Sequence, residues 1–273
     1  MKRETITPGK VSFILSALLM LLTFTALPAH ADFYVIAAGG RGAGTEIKSL
    51  PHTISSPGFY YITKDLSCSG SHGITITADN VTLDLMGFSL GGAGGGSYAG
   101  VYMSGRSNVE IRNGTVRNFG NYGVYESSDA GQGHRVINIR ARDNLSYGIY
   151  LKAKGNLVKG CTASGNNYTG IHAGIGSTVT GNTCYENLTG AGICALAGST
   201  VTGNTCYKNG IWGIYACVGS TVTGNTSYSN DKHGILLEGH NLVDQNTAYS
   251  NTTSNMTSCG TCVFGTNVGA PSP

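Results

Sequence analysis

The sequence predicts an all-β solenoid, in which one short coil of chain repeats about eight times along a single axis. Three observations predict it. The stretch S-T-V-T-G-N-T occurs at residues 177–183, 199–205 and 220–226, at spacings of 22 and 21. A glycine followed by an apolar residue recurs at Gly73, Gly100, Gly123, Gly148, Gly170, Gly192, Gly213 and Gly234, at intervals that settle from 27 to 21 residues. Within a coil the apolar period is two: Ile214, Ala216 and Val218 alternate with Tyr215 and Cys217, and Ile171, Ala173 and Ile175 with His172 and Gly174. Period two is a strand with one face inward. A coil of 21–22 residues is too short for a pair of helices and fits three short strands joined by tight turns. Stacked at roughly 4.8 Å, parallel strands of this kind build a right-handed parallel β-helix.

The chain begins with a segment read as separate from the solenoid. Lys2, Arg3 and Lys10 precede an apolar run over 11–27, and Ala29-His30-Ala31 supplies the small residues of a cleavage site. Residues 1–31 are thus expected to be a secretory signal peptide cut before Asp32, placing the protein in the periplasm or outside the cell, with no membrane contact after cleavage. Residues 32–72 are irregular, with short strand signals around Pro57-Gly58, and are expected to cap the N-terminal end. The repeats occupy 73–255, with insertions at 91–96 and 127–133 in the early coils. Residues 256–273 break the repeat and are expected to form a C-terminal cap, with Cys259 and Cys262 as its staple.

Seventeen basic against fourteen acidic residues, net +3, create no global field that would draw nucleic acid. High Gly, Asn, Thr and Ser content could mean disorder, but the regular return of apolar residues gives each coil something to bury.

Stacking turns sequence periods into columns. The expected inward columns are Val101, Val124, Ile149, Ile171, Ile193, Ile214, Ile235, then Val179, Val201, Val222, Leu242, and a small one of Ala141, Ala163, Cys184, Cys206, Ser227, Ala248. Asn182, Asn204, Asn225 and Asn246 share one turn position, and Asn187, Asn209, Asn230 and Asn251 another. Asparagine tolerates left-handed φ in turns, and repeated on successive coils it forms a hydrogen-bonded ladder.

The stretch G-I-T-I-T-A-D-N-V-T-L-D-L-M-G-F-S-L (73–90) resembles the opening coil of secreted bacterial right-handed parallel β-helix repeat proteins of the pectin-lyase-like superfamily. S-L-P-H-T-I-S-S-P-G-F-Y-Y-I-T (49–63) and N-V-E-I-R-N-G-T-V-R-N-F-G (108–120) are similar to stretches common in that group. The resemblance covers 47–265. It implies the fold and leaves function open, since the superfamily includes pectate lyases, polygalacturonases and uronate epimerases beside members without assigned activity. The calcium-binding Asp cluster that a pectate lyase would imply is absent from the late coils, where Glu186 is the one acid between 170 and 230.

Charge concentrates between 110 and 143. There Glu126, Asp129 and His134 lie on one insertion with Arg142 nearby, and an acid/base site would use Glu126 or Asp129 with His134 and an arginine to hold a sugar carboxylate. Aromatic residues offer a second candidate. Tyr102, Tyr125 and Tyr150 fall on the outward parity after the coil-start glycine, and Tyr185, Tyr207, Tyr228 and Tyr249 form another outward column. Tyrosine joins an apolar face to a polar tip, so either row suits an extended glycan. No zinc spacing is present, and neither a metal nor any other cofactor is implied. The reading is a secreted β-helix module that binds polysaccharide or serves as a surface scaffold without catalysis. The alternative is a polysaccharide lyase, hydrolase or epimerase that acts on uronate-containing glycans through the 110–143 cluster.

Overall fold

The computed structural model describes residues 44–269, which form one all-β solenoid. The signal-peptide segment and the first part of the expected N-terminal cap lie outside the described residues. Three faces run the length of the solenoid. The first is a sheet of ten parallel strands in chain order, from His52–Ile54 and Ile74–Ile76 through Ile171–Ala173 and Ile193–Ala195 to His233–Leu237 and Ser254–Ser258. The second carries Thr178–Thr180, Thr200–Thr202 and Thr221–Thr223, and the third Thr183–Tyr185, Thr205–Tyr207 and Thr226–Tyr228. Two longer strands, Glu110–Arg117 and Arg135–Arg142, run through the corner between these faces and join them into one sheet.

The solenoid therefore has about ten turns rather than eight. The two extra turns lie at the ends, where no glycine precedes the inward residue. Ile54 stacks below Ile76, and Met256 above Ile235, by the same parallel register as the rest. Both lack the glycine that marks the other coil starts, so the sequence period alone shows eight.

The inward columns fill the interior. Ile171, Ile193, Ile214 and Ile235 are fully buried, as are Val179, Val201 and Val222 and the small column Ala163, Cys184, Cys206, Ser227 and Ala248. Each buried Ile or Val contributes about 1.5–3 kcal/mol. The small column and the coil-start glycines explain one another. A Cβ on Gly192 would lie 2.7 Å from Gly213 O, 2.8 Å from Asn209 Nδ2 and 3.1 Å from Cys206 Sγ, so the third and first faces meet too closely for side chains. Leu242 departs from expectation. It is 46% exposed, and Val243 takes its inward place beside Val222. Asn241 sets that register, its Oδ1 accepting the Ser220 N–H. Ile175 and Val218 are likewise exposed, because the chain turns one residue after Ala173 and Ala216.

The corners are held by side-chain ladders. Asn182 Nδ2 donates to Asn204 Oδ1 at 2.9 Å, Asn204 to Asn225 at 2.9 Å and Asn225 to Asn246 at 2.9 Å. The same amides donate to the buried carbonyls of Val158, Val179 and Val201. Asn187, Asn209, Asn230 and Asn251 repeat the arrangement at the next corner. The left-handed residue is the one before the asparagine: Gly181, Gly203 and Gly224 on one ladder, Glu186, Lys208 and Ser229 on the other. All eight cysteines are free thiols, Cys259 and Cys262 included.

Candidate functional site

The four residues expected to form an acid/base site do not converge on the surface. Glu126 and His134 do meet, with Glu126 Oε2 3.4 Å from His134 Nε2, but both side chains are fully buried. Glu126 closes the first-face strand Val124–Glu126, and its Oε1 accepts the N–H groups of Gly105 and Ser128 at 2.9 and 2.8 Å. Burial alone would raise the Glu126 carboxyl. The His134 contact and the two backbone donors outweigh it and hold the group below its ordinary value. His134 Nδ1 accepts the Val109 N–H, and Nε2 faces Glu126 Oε2 without an aligned hydrogen bond. Asp129 sits exposed at the tip of the insertion. Arg142 is on the third face, in register with Arg117 and Ser164, and pairs with Asp143 at 2.5 Å.

Several of the remaining charges around the 110–143 region are paired internally. Glu110 bridges Arg112 and Arg135 at 2.9 and 2.7 Å, and the buried Asp84 holds Arg112 at 2.7 Å. These groups are spent on one another across neighbouring coils of the second face.

The aromatic residues are brought together more fully than the sequence indicated. Tyr102, Tyr125 and Tyr150 project from adjacent first-face strands in direct register. Tyr98, Tyr122, Tyr147 and Tyr168, from the corner just before those strands, close around them, with His72 and His172 at the two ends. Tyr122 stacks on Tyr125 at 3.9 Å and on Tyr147 at 5.4 Å. His72 stacks on Tyr102, and His172 on Tyr150, each at 4.4 Å. Tyr150 meets Tyr125 and Tyr147 edge-on at 69° and 75°, and Tyr147 meets Tyr168 at 68°. Nine rings thus form one continuous cluster over five coils. Most are half-buried, and Tyr168 is 42% exposed. The corner members were legible in principle: Y-G-V-Y (122–125) and Y-G-I-Y (147–150) place a tyrosine on each side of the coil-start glycine.

Packing changes the chemistry of the cluster. Burial, and secondarily the neighbouring phenols, push Tyr122, Tyr125, Tyr147 and Tyr150 upward, so their hydroxyls stay protonated as donors. Burial lowers His172 to about 4, so its imidazole is neutral near pH 7.

The second tyrosine row is a different object. Tyr185, Tyr207, Tyr228 and Tyr249 stack on the third face with centroids 5.0, 5.0 and 5.1 Å apart and planes within 4°, 7° and 2° of parallel. Parallel rings this close lie face to face along the column, because coplanar rings would collide. Each inner ring spends its faces on its neighbours and shows solvent an edge and a hydroxyl.

Comparisons with known proteins bear on the fold. A family model described as a right handed beta helix region matches residues 128–270, more than half the chain. No curated protein matches it. Among solved structures, the periplasmic alginate epimerase AlgG superposes with a TM-score of 0.56 at 12% identity, over 77% of this chain and 70% of that one. The Azotobacter vinelandii mannuronan C-5 epimerase AlgE6 A-module gives 0.54 at 14% identity, over 87% and 88%. The Geobacillus virus E2 ORF18 protein gives 0.54 at 12% identity, over 77% and 54%. At these identities the likeness is one of fold. With its ten parallel coils, three faces and stacked asparagine corners, the chain belongs to the right-handed β-helix family.

Proposed function

We propose that the protein is a non-catalytic polysaccharide-binding β-helix module, exported from the cytoplasm, whose glycan surface is the aromatic cluster of the first face. One observation carries this reading. Nine rings in mixed stacked and edge-on orientations present ring faces and phenol hydroxyls together along five consecutive coils. Sugars offer the complement, with apolar C–H faces beside hydroxyls. The third-face tyrosines take a smaller part, since their faces are already covered by one another. The burial of Glu126 and His134 supports the non-catalytic reading. An acid or base must reach the proton it moves, and Glu126 and His134 touch no solvent. Superposable proteins named as alginate and mannuronan epimerases act on polysaccharides, which supports a glycan as the partner class.

A polysaccharide array probed with the wild-type protein tests the reading, with the eluted glycans then examined for new reducing ends, unsaturated products or altered sugar configuration. Retention of an unaltered polymer is expected. Retention of none, or release of a modified product, would overturn the proposal, and the second result would restore the enzymatic alternative.

A further inference from the structure

A groove of about 610 Å³ runs along the corner between the first and second faces, apart from the aromatic cluster. It crosses four consecutive coils at Ser107, Gln132, Lys154 and Ile175, the first three linked by parallel backbone bridges. Its length is about 14 Å, three steps at the inter-strand spacing. Among the described residues, the Ser107 hydroxyl, the Gln132 amide and the Lys154 ammonium have no side-chain hydrogen bond or ion pair, and Ile175 is 59% exposed at one end. No acidic residue lines it. Lys152 adds an exposed cation two residues before Lys154.

The wall of this groove is anchored by the buried pair the surface chemistry does not use. Glu126 receives Gly105 N–H from the preceding coil, and His134 receives Val109 N–H from the same coil. The His134 N–H donates to Asn156 Oδ1 of the following coil at 3.2 Å. Gly131 packs between them, where a Cβ would lie 2.3 Å from Arg106 O and 3.2 Å from His134 Nε2. Burying an acid and an imidazole is costly unless both are held. Here the pair fixes both ends of the 127–133 insertion, and with it Gln132 and Gly133 of the groove.

We propose that this corner groove is a second binding site, which takes an anionic glycan chain, with Lys154 and Gln132 as contact residues and Glu126 and His134 as positioning residues. A row of unpaired donors on successive coils fits a chain of repeating acidic units, and a cation without a carboxylate partner selects for negative charge. The ligand class rests on the glycan reading above, but the site does not depend on the aromatic face. Carboxylated and sulfated chains share this chemistry and are separated by the test.

The experiment is calorimetric titration of the full chain with neutral, carboxylated and sulfated oligosaccharides of matched length, and with a single-stranded oligonucleotide. Wild type should prefer one or both anionic glycans to the neutral one. Lys154→Glu should weaken anionic binding about tenfold or more and leave the neutral affinity unchanged, whereas Tyr147→Ala with Tyr150→Ala should lower neutral and anionic affinity together and keep the anionic preference. Glu126→Gln should weaken anionic binding at unchanged secondary structure, and hydrogen exchange should speed up first in 127–133. Equal affinity for neutral and anionic chains, anionic binding unaffected by Lys154→Glu, or no binding at all would overturn the site. Preference for the oligonucleotide would overturn the glycan assignment. If the anionic preference survives Lys154→Glu, this groove is refuted whatever the aromatic variant does. If Lys154→Glu removes it, the groove stands, and the effect of the aromatic variant on the neutral chain tests the first-face reading separately.

Discussion

At the residue scale the asparagines carry the most weight per side chain. Asn209 Nδ2 donates to Cys184 O and Asn230 Oδ1, and its Oδ1 accepts both the backbone N–H and the amide of Asn187. Truncation leaves these groups buried and unpaired, each at about 1–3 kcal/mol. Asn209→Ala is therefore expected to cost at least ~3 kcal/mol in denaturant unfolding, and the partly exposed terminal Asn251→Ala clearly less. Equal losses would contradict the ladder. The role of these residues was legible in the sequence, because four asparagines one coil apart have little else to do. Their conformation was not. The amides reach mainly to the neighbouring coils, and the left-handed conformation falls on the residue before the asparagine, Gly181, Glu186 and their equivalents. Glu126 and His134 show the opposite failure. Proximity on one insertion was visible, but sequence carries no direct sign of burial for a polar pair, and both turned inward.

At the element scale the coil is defined by where its faces touch. Gly192 has no room for a methyl group, whereas Gly176 faces open space with φ at 67°. Gly176→Ala should cost about 1–2 kcal/mol, the usual left-handed penalty. Gly192→Ala should cost more, because Gly213 O and Asn209 Nδ2 must both retreat, and thermal unfolding of the two variants checks the order. The strand alternation was readable from Ile214 and Ala216, but it was carried one step too far at Val218 because the turn follows at once. The aromatic cluster was half-legible for a related reason. Counting outward from the coil-start glycine found Tyr102, Tyr125 and Tyr150, while Tyr122 and Tyr147 sit before the glycine in a corner that the strand parity does not describe. Tyr185 to Tyr249 were legible as a column, but the orientation that turns their faces on one another is a property of the stack.

At the scale of the whole molecule each coil interacts with its two neighbours, so stability is close to a sum over coils and interfaces. Removing residues 199–219 joins Gly198 to Ser220 in register, because Ser199 and Ser220 hold equivalent corner positions. The shortened chain should keep its β-sheet circular dichroism and cooperative unfolding at reduced stability. It should also keep its glycan binding, since the nine-ring cluster lies between His72 and His172. Collapse of the fold would contradict nearest-neighbour stacking. The central claim is that glycans are held by the mixed-orientation rings of the first face and not by the parallel stack of the third. The direct measurement is titration of the polysaccharide retained on the array against two double variants, Tyr147→Ala with Tyr150→Ala and Tyr207→Ala with Tyr228→Ala. The account predicts about fivefold or greater loss for the first pair, from two ring contacts at about 0.5–1.5 kcal/mol each, and near wild-type affinity for the second. Undiminished affinity in the first pair, or a larger loss in the second, would contradict it.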